Sequence, residues 1–470
     1  MFLGIDQKPA DKVAAIEDSR REITYGELAE CSRKMAEYVG DRDLIFCLCR
    51  NCIGALEGYL SFVSNRAVPL LLSAKTEAAL LQTLIDVYKP MYFWMPEDMT
   101  DQFDYEEIYA DDYGYKLMRT GNPAYELHPD LSLLLATSGS TGSPKLVRHT
   151  YGNLEASARN IAKFFGYTTD ERAMADLPMQ YTMGLSVIHS HLYAGAMVLL
   201  TQEPLMSPKF WTFLKEGRAT NFTGVPFSYE VFRKLRFTRM DLPDLKTIAE
   251  GGGKLTEEVF KELAEYADRT GRRFFATFGQ TECTARMAYL PPELALTKTG
   301  SIGRAIPEGE LFLLDENGNE IKEMEAEGEM GYRGPNVTMG YAVKAEELAR
   351  GDDWHGETHT GDLARRDADG CYFIVGRLSR FLKLYGYRIS LDRSERMISE
   401  EFEIECACAG DDRRMEIFVT DASAAEKIPL FMKEKTKLPE AAFHVNVLDA
   451  IPRNEYGKIR YKELNSLVTV

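Results

Sequence analysis

Leu134-Leu135-Ala136-Thr137-Ser138-Gly139-Ser140-Thr141-Gly142-Ser143-Pro144-Lys145-Leu146-Val147-Arg148 decides how this chain is read. The apolar run from Leu133 to Ala136 predicts a buried strand. It delivers the chain into Thr137-Ser138-Gly139-Ser140-Thr141-Gly142, where every residue is a glycine or carries a hydroxyl. Glycines let the backbone approach a ligand closely, hydroxyls and amides donate to its oxygens, and Lys145 adds a positive charge. Such a turn can wrap a polyphosphate. It is not a Walker A loop, because no Gly-Lys-Ser/Thr follows the second glycine. A solvated Ser/Gly linker fits poorly, since linkers seldom end in Pro-Lys directly after a buried strand.

The 470 residues are enough for two or three domains, and a 45% hydrophobic content with 24 Tyr and 24 Phe supplies a large core. No run of ~18 uncharged apolar residues appears, and the first residues lack a basic stretch followed by an apolar one. The expectation is a soluble, cytoplasmic protein with no membrane partner. A net charge of −17 argues against nucleic acid. Nearly all of that charge lies before residue 379, so an anionic substrate such as ATP has to rely on Mg²⁺ and locally placed cations. The eight cysteines are scattered. Cys49-Arg50-Asn51-Cys52 matches C-x-x-C, but no second pair completes a zinc site, and buried free thiols are expected.

Helix-like and strand-like stretches alternate from the start. Tyr25 to Val39 reads as an amphipathic helix capped by Thr24, and Asp43 to Leu48 as a strand. Gly54 to Ser64 is helical, Ala67 to Leu72 a strand, Glu77 to Tyr88 a helix and Met91 to Met95 a strand. After the loop come a helix from Tyr151 to Phe165, an apolar helix from Leu185 to Tyr193 and a strand from Met197 to Thr201. This order predicts α/β layers around largely parallel sheets. From Gly309 to Gly376 strands shorten and turns multiply, with a hairpin-type turn at 315–319. A boundary is expected at Gly376-Arg377-Leu378-Ser379-Arg380.

Four further segments stand out: Thr277-Phe278-Gly279-Gln280-Thr281-Glu282; Gly361-Asp362 with Gly376-Arg377; Lys383-Leu384-Tyr385-Gly386-Tyr387-Arg388; and Pro452-Arg453-Asn454-Glu455-Tyr456-Gly457-Lys458-Ile459. With the Thr137–Lys145 loop, their order and spacing resemble the acyl-adenylate-forming superfamily of acyl-CoA synthetases, peptide-synthetase adenylation domains, D-alanine–carrier-protein ligases and luciferases. The resemblance runs from about residue 10 to 465. It implies an α/β fold with a large N-terminal domain of layered sheets and a small β-barrel-like subdomain, residues 1–378. A small mobile α+β lid, residues 379–470, would follow.

The resemblance also assigns roles. Thr137, Ser138, Gly139, Ser140, Thr141, Gly142 and Lys145 would hold the phosphates of ATP, with Thr141 catalytic. Glu282 would help hold Mg²⁺, which favours carboxylate and phosphate oxygens. Thr281 would bond a phosphate. Phe278, with Gly279 beside it, would stack on adenine, and Gly251 and Gly252 would leave room there. Asp362 would accept from the ribose hydroxyls, and Arg377 would cover ribose or phosphate. Lys458 would bridge the attacking carboxylate and the α-phosphate, where charge develops in the transition state. A carboxylic acid would displace pyrophosphate to give an acyl-adenylate, which an acceptor thiol would then attack. That thiol is the phosphopantetheine of CoA or of an acyl carrier protein. The lid would rotate between the two halves.

Several positions depart from the family pattern. Ser379 replaces the usual Asp or Lys at the hinge, Leu146 follows Lys145 where glycine is common, and Leu438-Pro439-Glu440-Ala441-Ala442-Phe443 only faintly matches its counterpart. Tyr181 occupies the His/Phe gate position. Thr182 replaces the aspartate that holds an amino-acid ammonium, which favours a non-amino acid. Tyr181, Thr182, Ser186 and Thr277 are the expected acid pocket, with His189 and His191 nearby in packing roles. Arg380, Arg388, Arg393 and Arg396 would offer a basic face to an acidic carrier protein, which tips the expected acceptor towards a carrier protein over CoA. Alternatives are an aryl- or medium-chain acyl-CoA synthetase, a non-catalytic ATP- or AMP-binding module, and an unrelated kinase. A monomer and a homodimer are both compatible with the sequence.

Overall fold

Short apolar strands separated by amphipathic helices build two large sheets in this chain. A computed structural model describes residues 1–137, 145–453 and 458–468. The chain divides into two compact units, Met1–Leu311 with Tyr332–Thr358, and Phe312–Gly331 with His359–Val470. Residues 312–331 and 359–378, expected with the N-terminal domain, thus group with the C-terminal residues.

In the first unit, an eight-stranded sheet is centred on the parallel strands Leu131–Thr137, Val68–Ser73, Leu44–Cys49 and Tyr92–Pro96. A nine-stranded sheet is centred on the parallel strands Val13–Glu17, Met197–Leu200, Arg172–Ala175, Asn221–Gly224, Thr247–Glu250 and Arg273–Phe278. Side-chain alternation along Leu44–Cys49 explains the layering. Ile45, Cys47 and Cys49 enter a central core shared with strands of the other sheet, while Leu44, Phe46 and Leu48 enter an outer core. Helices Ile53–Ser64 and Thr182–Ala194 fill the central layer and are buried on nearly every side, as helices that are apolar all round must be. Helices Pro208–Glu216, Pro226–Lys234 and Glu257–Thr270 cover the far face of the nine-stranded sheet.

Local signals match this layout. Thr24 caps helix Tyr25–Met35 in a capping box with Glu27, satisfying two otherwise unpaired amides. Helix Tyr151–Phe165 begins with a second box, Thr150 with Asn153, and stops at Gly166 in the left-handed region. All eight cysteines are free thiols, six of them buried, as expected.

The second unit holds a four-stranded sheet in the order Glu310–Leu314, Ala326–Arg333, Glu357–Arg366 and Tyr372–Arg377. Among the described residues these strands form an open sheet; the barrel-like subdomain expected from the sequence does not close. A hairpin, Phe381–Leu384 with Tyr387–Ser390, leads to helix Leu391–Phe402. A three-stranded sheet of Cys406–Asp411, Arg414–Val419 and Phe443–Val447 then packs with Ile398, Ile428 and Met432 into its own core.

Candidate active site

The Thr137–Lys145 segment connects two antiparallel strands. Leu131–Thr137 is buried through Leu135 and pairs with Lys145–Thr150, with Thr137 opposite Lys145 in register. Ser138, Gly139, Ser140, Thr141 and Gly142 lie outside the described residues. Lys145 has a definite environment: its Nζ lies 5.2 Å from the centroid of the Tyr341 ring. Tyr341 is placed there by a two-residue strand, Tyr341–Ala342, that pairs with Leu146 and Val147.

Tyr341 also reaches Glu282. Its hydroxyl donates to Glu282 Oε1 at 2.6 Å. Burial, reinforced by the Glu282 carboxylate, pushes the Tyr341 phenol above its ordinary pKa, so it remains a donor. The carboxylate expected to hold a metal and the cation expected to hold phosphate therefore meet on one tyrosine. Tyr341 was missed in the sequence, where Gly340-Tyr341 looks like any loop dipeptide.

Glu282 sits on a single turn, Thr281–Cys283, directly after strand Arg273–Phe278. The turn is held tightly. Thr338 N donates to Glu282 O at 3.0 Å, Asn336 Nδ2 donates to Cys283 O at 2.7 Å, and Ser157 Oγ donates to Thr284 O at 2.6 Å. Thr284 and Ala285 both adopt positive φ, 48° and 83°, which costs about 1–3 kcal/mol each and persists only where surrounding bonds compensate. Gly279 is required for closure, since an added Cβ would overlap the Ala285 carbonyl oxygen. His149 Nδ1 and Thr284 Oγ1 are 3.2 Å apart, and burial drives the His149 pKa down to about 3, so its ring is neutral.

The expected adenine and acid positions gather at the C-terminal ends of parallel strands, where open α/β sheets bind ligands. Glu250 pairs with Ala276, so Gly251 and Gly252 emerge at the same end as Thr277 and Phe278. A Cβ on Gly251 would come within 2.6 Å of Met183 Cε and 2.7 Å of Thr277 Oγ1. A Cβ on Gly252, whose φ is +77°, would strike the Tyr181 hydroxyl. Tyr181, Met183, Thr277 and the two glycines therefore form one wall. Burial raises the Tyr181 phenol to about 12. The Thr277 hydroxyl is committed to Glu250 O at 2.6 Å and Ser186 to Met183 O at 2.7 Å, so neither hydroxyl proton is available to a substrate. Thr182 is buried in the first turn of helix Thr182–Ala194. His189 pairs with the Tyr59 hydroxyl at 2.8 Å and His191 with Asn221 Nδ2 at 2.9 Å, as packing residues do.

In the second unit, Asp362 is 1% exposed and faces Arg377 across the Glu357–Arg366 and Tyr372–Arg377 pair, with Arg377 Nε donating to Asp362 Oδ1 at 2.8 Å. Lys458 is exposed, beside the Arg453–Ile459 bridge. Arg380 overturns one expectation. It is largely buried, paired with Asp392 and Glu395, and stacked 3.7 Å from the Tyr461 ring centroid. Its charge is spent inside the unit and offers nothing to a carrier protein.

Residues 4–342 match the AMP-binding enzyme family. The chain belongs to this family. This AMP-binding enzyme is 30% identical over 349 residues to oxalate–CoA ligase of Arabidopsis thaliana, covering 71% of the chain and 67% of the relative. It is 28% identical over 416 residues to 2-succinylbenzoate–CoA ligase of Bacillus cytotoxicus, covering 83% of each. Its fold matches o-succinylbenzoate CoA synthetase of Bacillus subtilis, solved with an acyl-adenylate intermediate, at a TM-score of 0.79 and 22% identity over 98% of this chain and 97% of that one. The AMP-binding enzyme is an AMP-forming acid–thiol ligase: it uses ATP to activate a carboxylic acid as an acyl-adenylate and passes the acyl group to a thiol. Among the described residues no helix is long and apolar enough to cross a membrane.

Proposed function

We propose that Lys145, Thr281 and Glu282, with residues 137–142, bind the triphosphate of ATP, that Asp362 and Arg377 hold its ribose, and that CoA is the acceptor thiol. The observation that carries this reading is the convergence of Lys145 and Glu282 on Tyr341, with Glu282 on the turn that follows the strand end carrying Thr277. Phe278, with Gly279, Gly251 and Gly252 at the same strand ends, provides a flat apolar place for adenine. The acid enters against Tyr181 and Thr182. Thr182 carries no charge to neutralise a buried ammonium, so the acid is not an α-amino acid.

The donor set suits Mg²⁺ brought in on a polyphosphate. Glu282 supplies one carboxylate, and among the described residues no group of three His, Cys, Asp or Glu side chains could form a protein cage. When bound there, Mg²⁺ would offset charge on the phosphate oxygens. Tyr341 occupies Glu282 Oε1, which would leave the other carboxylate oxygen for the ion. Lys458 supplies positive charge where the acid oxygen meets the α-phosphorus and pyrophosphate departs. The second half-reaction, thiol attack on the acyl-adenylate, does not need that charge. Ser379, between Arg377 and Lys458 in the chain, would be the pivot between the residues that bind and the residue that acts.

CoA is favoured over a carrier protein because Arg380 is neutralised internally and the curated relatives above are CoA ligases. The test is product analysis with ATP, Mg²⁺ and a panel of acids, offering CoA and a phosphopantetheinylated carrier protein in separate reactions. The expected products are AMP, pyrophosphate and acyl-CoA. Acyl transfer to the carrier alone contradicts the acceptor assignment, and ADP contradicts the chemistry.

A further inference from the structure

Arg286 ends the turn that carries Glu282, and its side chain is 0% exposed. Its backbone is fixed on both sides, because Asn336 Nδ2 donates to Arg286 O at 3.0 Å and Met287 N donates to Phe278 O at 2.8 Å. Yet Nε, Nη1 and Nη2 all lack a hydrogen-bond partner among the described residues. The guanidinium lies 5.1 Å from the centroid of the Phe165 ring, and the groups that feel its charge are the phenols of Tyr167 and Tyr181 and the ring of His191. No carboxylate is among them. The buried acid Glu171 acts on Tyr167 and is bonded by Thr220 and Asn221, while Glu250 and Asp176 act on Tyr229.

Magnitudes make this arrangement costly for a purely structural residue. A cation over an aromatic ring contributes about 0.5–2 kcal/mol. Taking a cation out of water costs several kcal/mol, and a guanidinium brings five N–H donors that each need an acceptor. A second polar group nearby is also unsatisfied. Asn160 is 0% exposed, and neither Oδ1 nor Nδ2 has a partner among the described residues. It lies one turn after Ser157 on the same face of helix Tyr151–Phe165, and Ser157 bonds Thr284 O, two residues before Arg286. These unpaired groups lie beside the turn that carries Glu282, and the Arg286 charge reaches the Tyr181 phenol that forms part of the wall.

We propose that Arg286 binds a second carboxylate on the acid substrate, so that this enzyme selects dicarboxylic acids over monocarboxylic acids of the same length. The inference rests on the ligase reading above. The carboxylate that reacts stays on the Glu282 side of the pocket, and the distal one lies in the plane of the guanidinium, where a bidentate pair matches its geometry. A methyl group in the same place leaves the buried donors unpaired, which is the situation in which sites discriminate most strongly. Arg286 acts here as a specificity residue and takes no part in the chemistry.

The experiment is acid-dependent ATP–pyrophosphate exchange with pairs of dicarboxylic acids and their methyl-terminated isosteres, aliphatic and aryl, for the unaltered enzyme and for Arg286→Met and Arg286→Lys. The unaltered enzyme is expected to favour the dicarboxylic member of its best pair by about a hundredfold or more in kcat/KM. Arg286→Met is expected to lose that preference and to accept the isostere, and Arg286→Lys to retain part of it. Stabilisation by ATP in thermal melts shows that each variant is folded. Equal or better exchange with the isosteres overturns the role of Arg286 and leaves the ligase reading standing, as does an Arg286→Met variant that keeps the preference. Failure of every acid to support exchange overturns both.

Discussion

Glu282 and Lys458 are assigned to opposite ends of one reaction, and their surroundings could hardly differ more. The turn around Glu282 is closed by Gly279, anchored by Ser157, Asn336 and Thr338, and strained at Thr284 and Ala285. Lys458 is exposed in the second unit, next to Ile459, which bridges to Arg453. The contrast separates binding from action. Groups that hold ATP gain from being fixed before it arrives, because the ordering cost is met during folding. A lysine needed in one half-reaction and superfluous in the next gains from staying out of a packed core.

Substitutions can break that contrast in order of size. Gly279→Ala forces a methyl group into the Ala285 carbonyl, so a loss of about 4 kcal/mol or more in unfolding free energy is expected in urea titrations. An unchanged midpoint would show that the Glu282 turn is not closed as described. Lys458→Ala is expected to leave the melting temperature unchanged while slowing pyrophosphate exchange by ~2.7–4 kcal/mol of barrier. Thiolysis of a supplied acyl-adenylate should proceed at the unaltered rate, and a comparable fall in that step would deny the division between the halves.

Acid sharpens the comparison from the side of the first unit. Burial holds His149 neutral with a pKa of about 3, against about 6.5 when unfolded. Below pH 6.5 the unfolded chain gains a proton that the folded one refuses, so stability present at neutral pH is lost as pH falls towards 3. By pH 5 the loss from His149 amounts to about 2 kcal/mol. His149→Gln should flatten the stability profile between pH 6.5 and 5 by that amount, and an identical slope would mean that His149 is protonated in the fold. Tyr341→Phe has the smallest expected effect. It removes one hydrogen bond to a charged acceptor, about 1.5 kcal/mol, read as a rise in KM for ATP of roughly tenfold with kcat nearly constant.

What could be read in the sequence was local. The strand before Thr137, the cap at Thr24 and the apolar strand read at Asp43 to Leu48 are written in adjacent residues; the last forms one residue later, at Leu44–Cys49. Contacts between distant residues were not legible. Arg380 looks like a surface arginine until Asp392, Glu395 and Tyr461 fold around it. Tyr341 gains its place from strand pairing with residues almost two hundred positions earlier. Ser186 was expected to face the acid, but a helical serine can turn back to its own carbonyls, and this one does. Arg286 gave no signal in the sequence at all, because burial without a partner is visible only in three dimensions.

The most direct test is exchange of labelled pyrophosphate into ATP by the full chain with Mg²⁺ and each acid in turn. Exchange that depends on a carboxylic acid, needs no thiol and collapses in Lys458→Ala is the predicted result. ATP binding seen in thermal melts, without exchange for any acid, would contradict it.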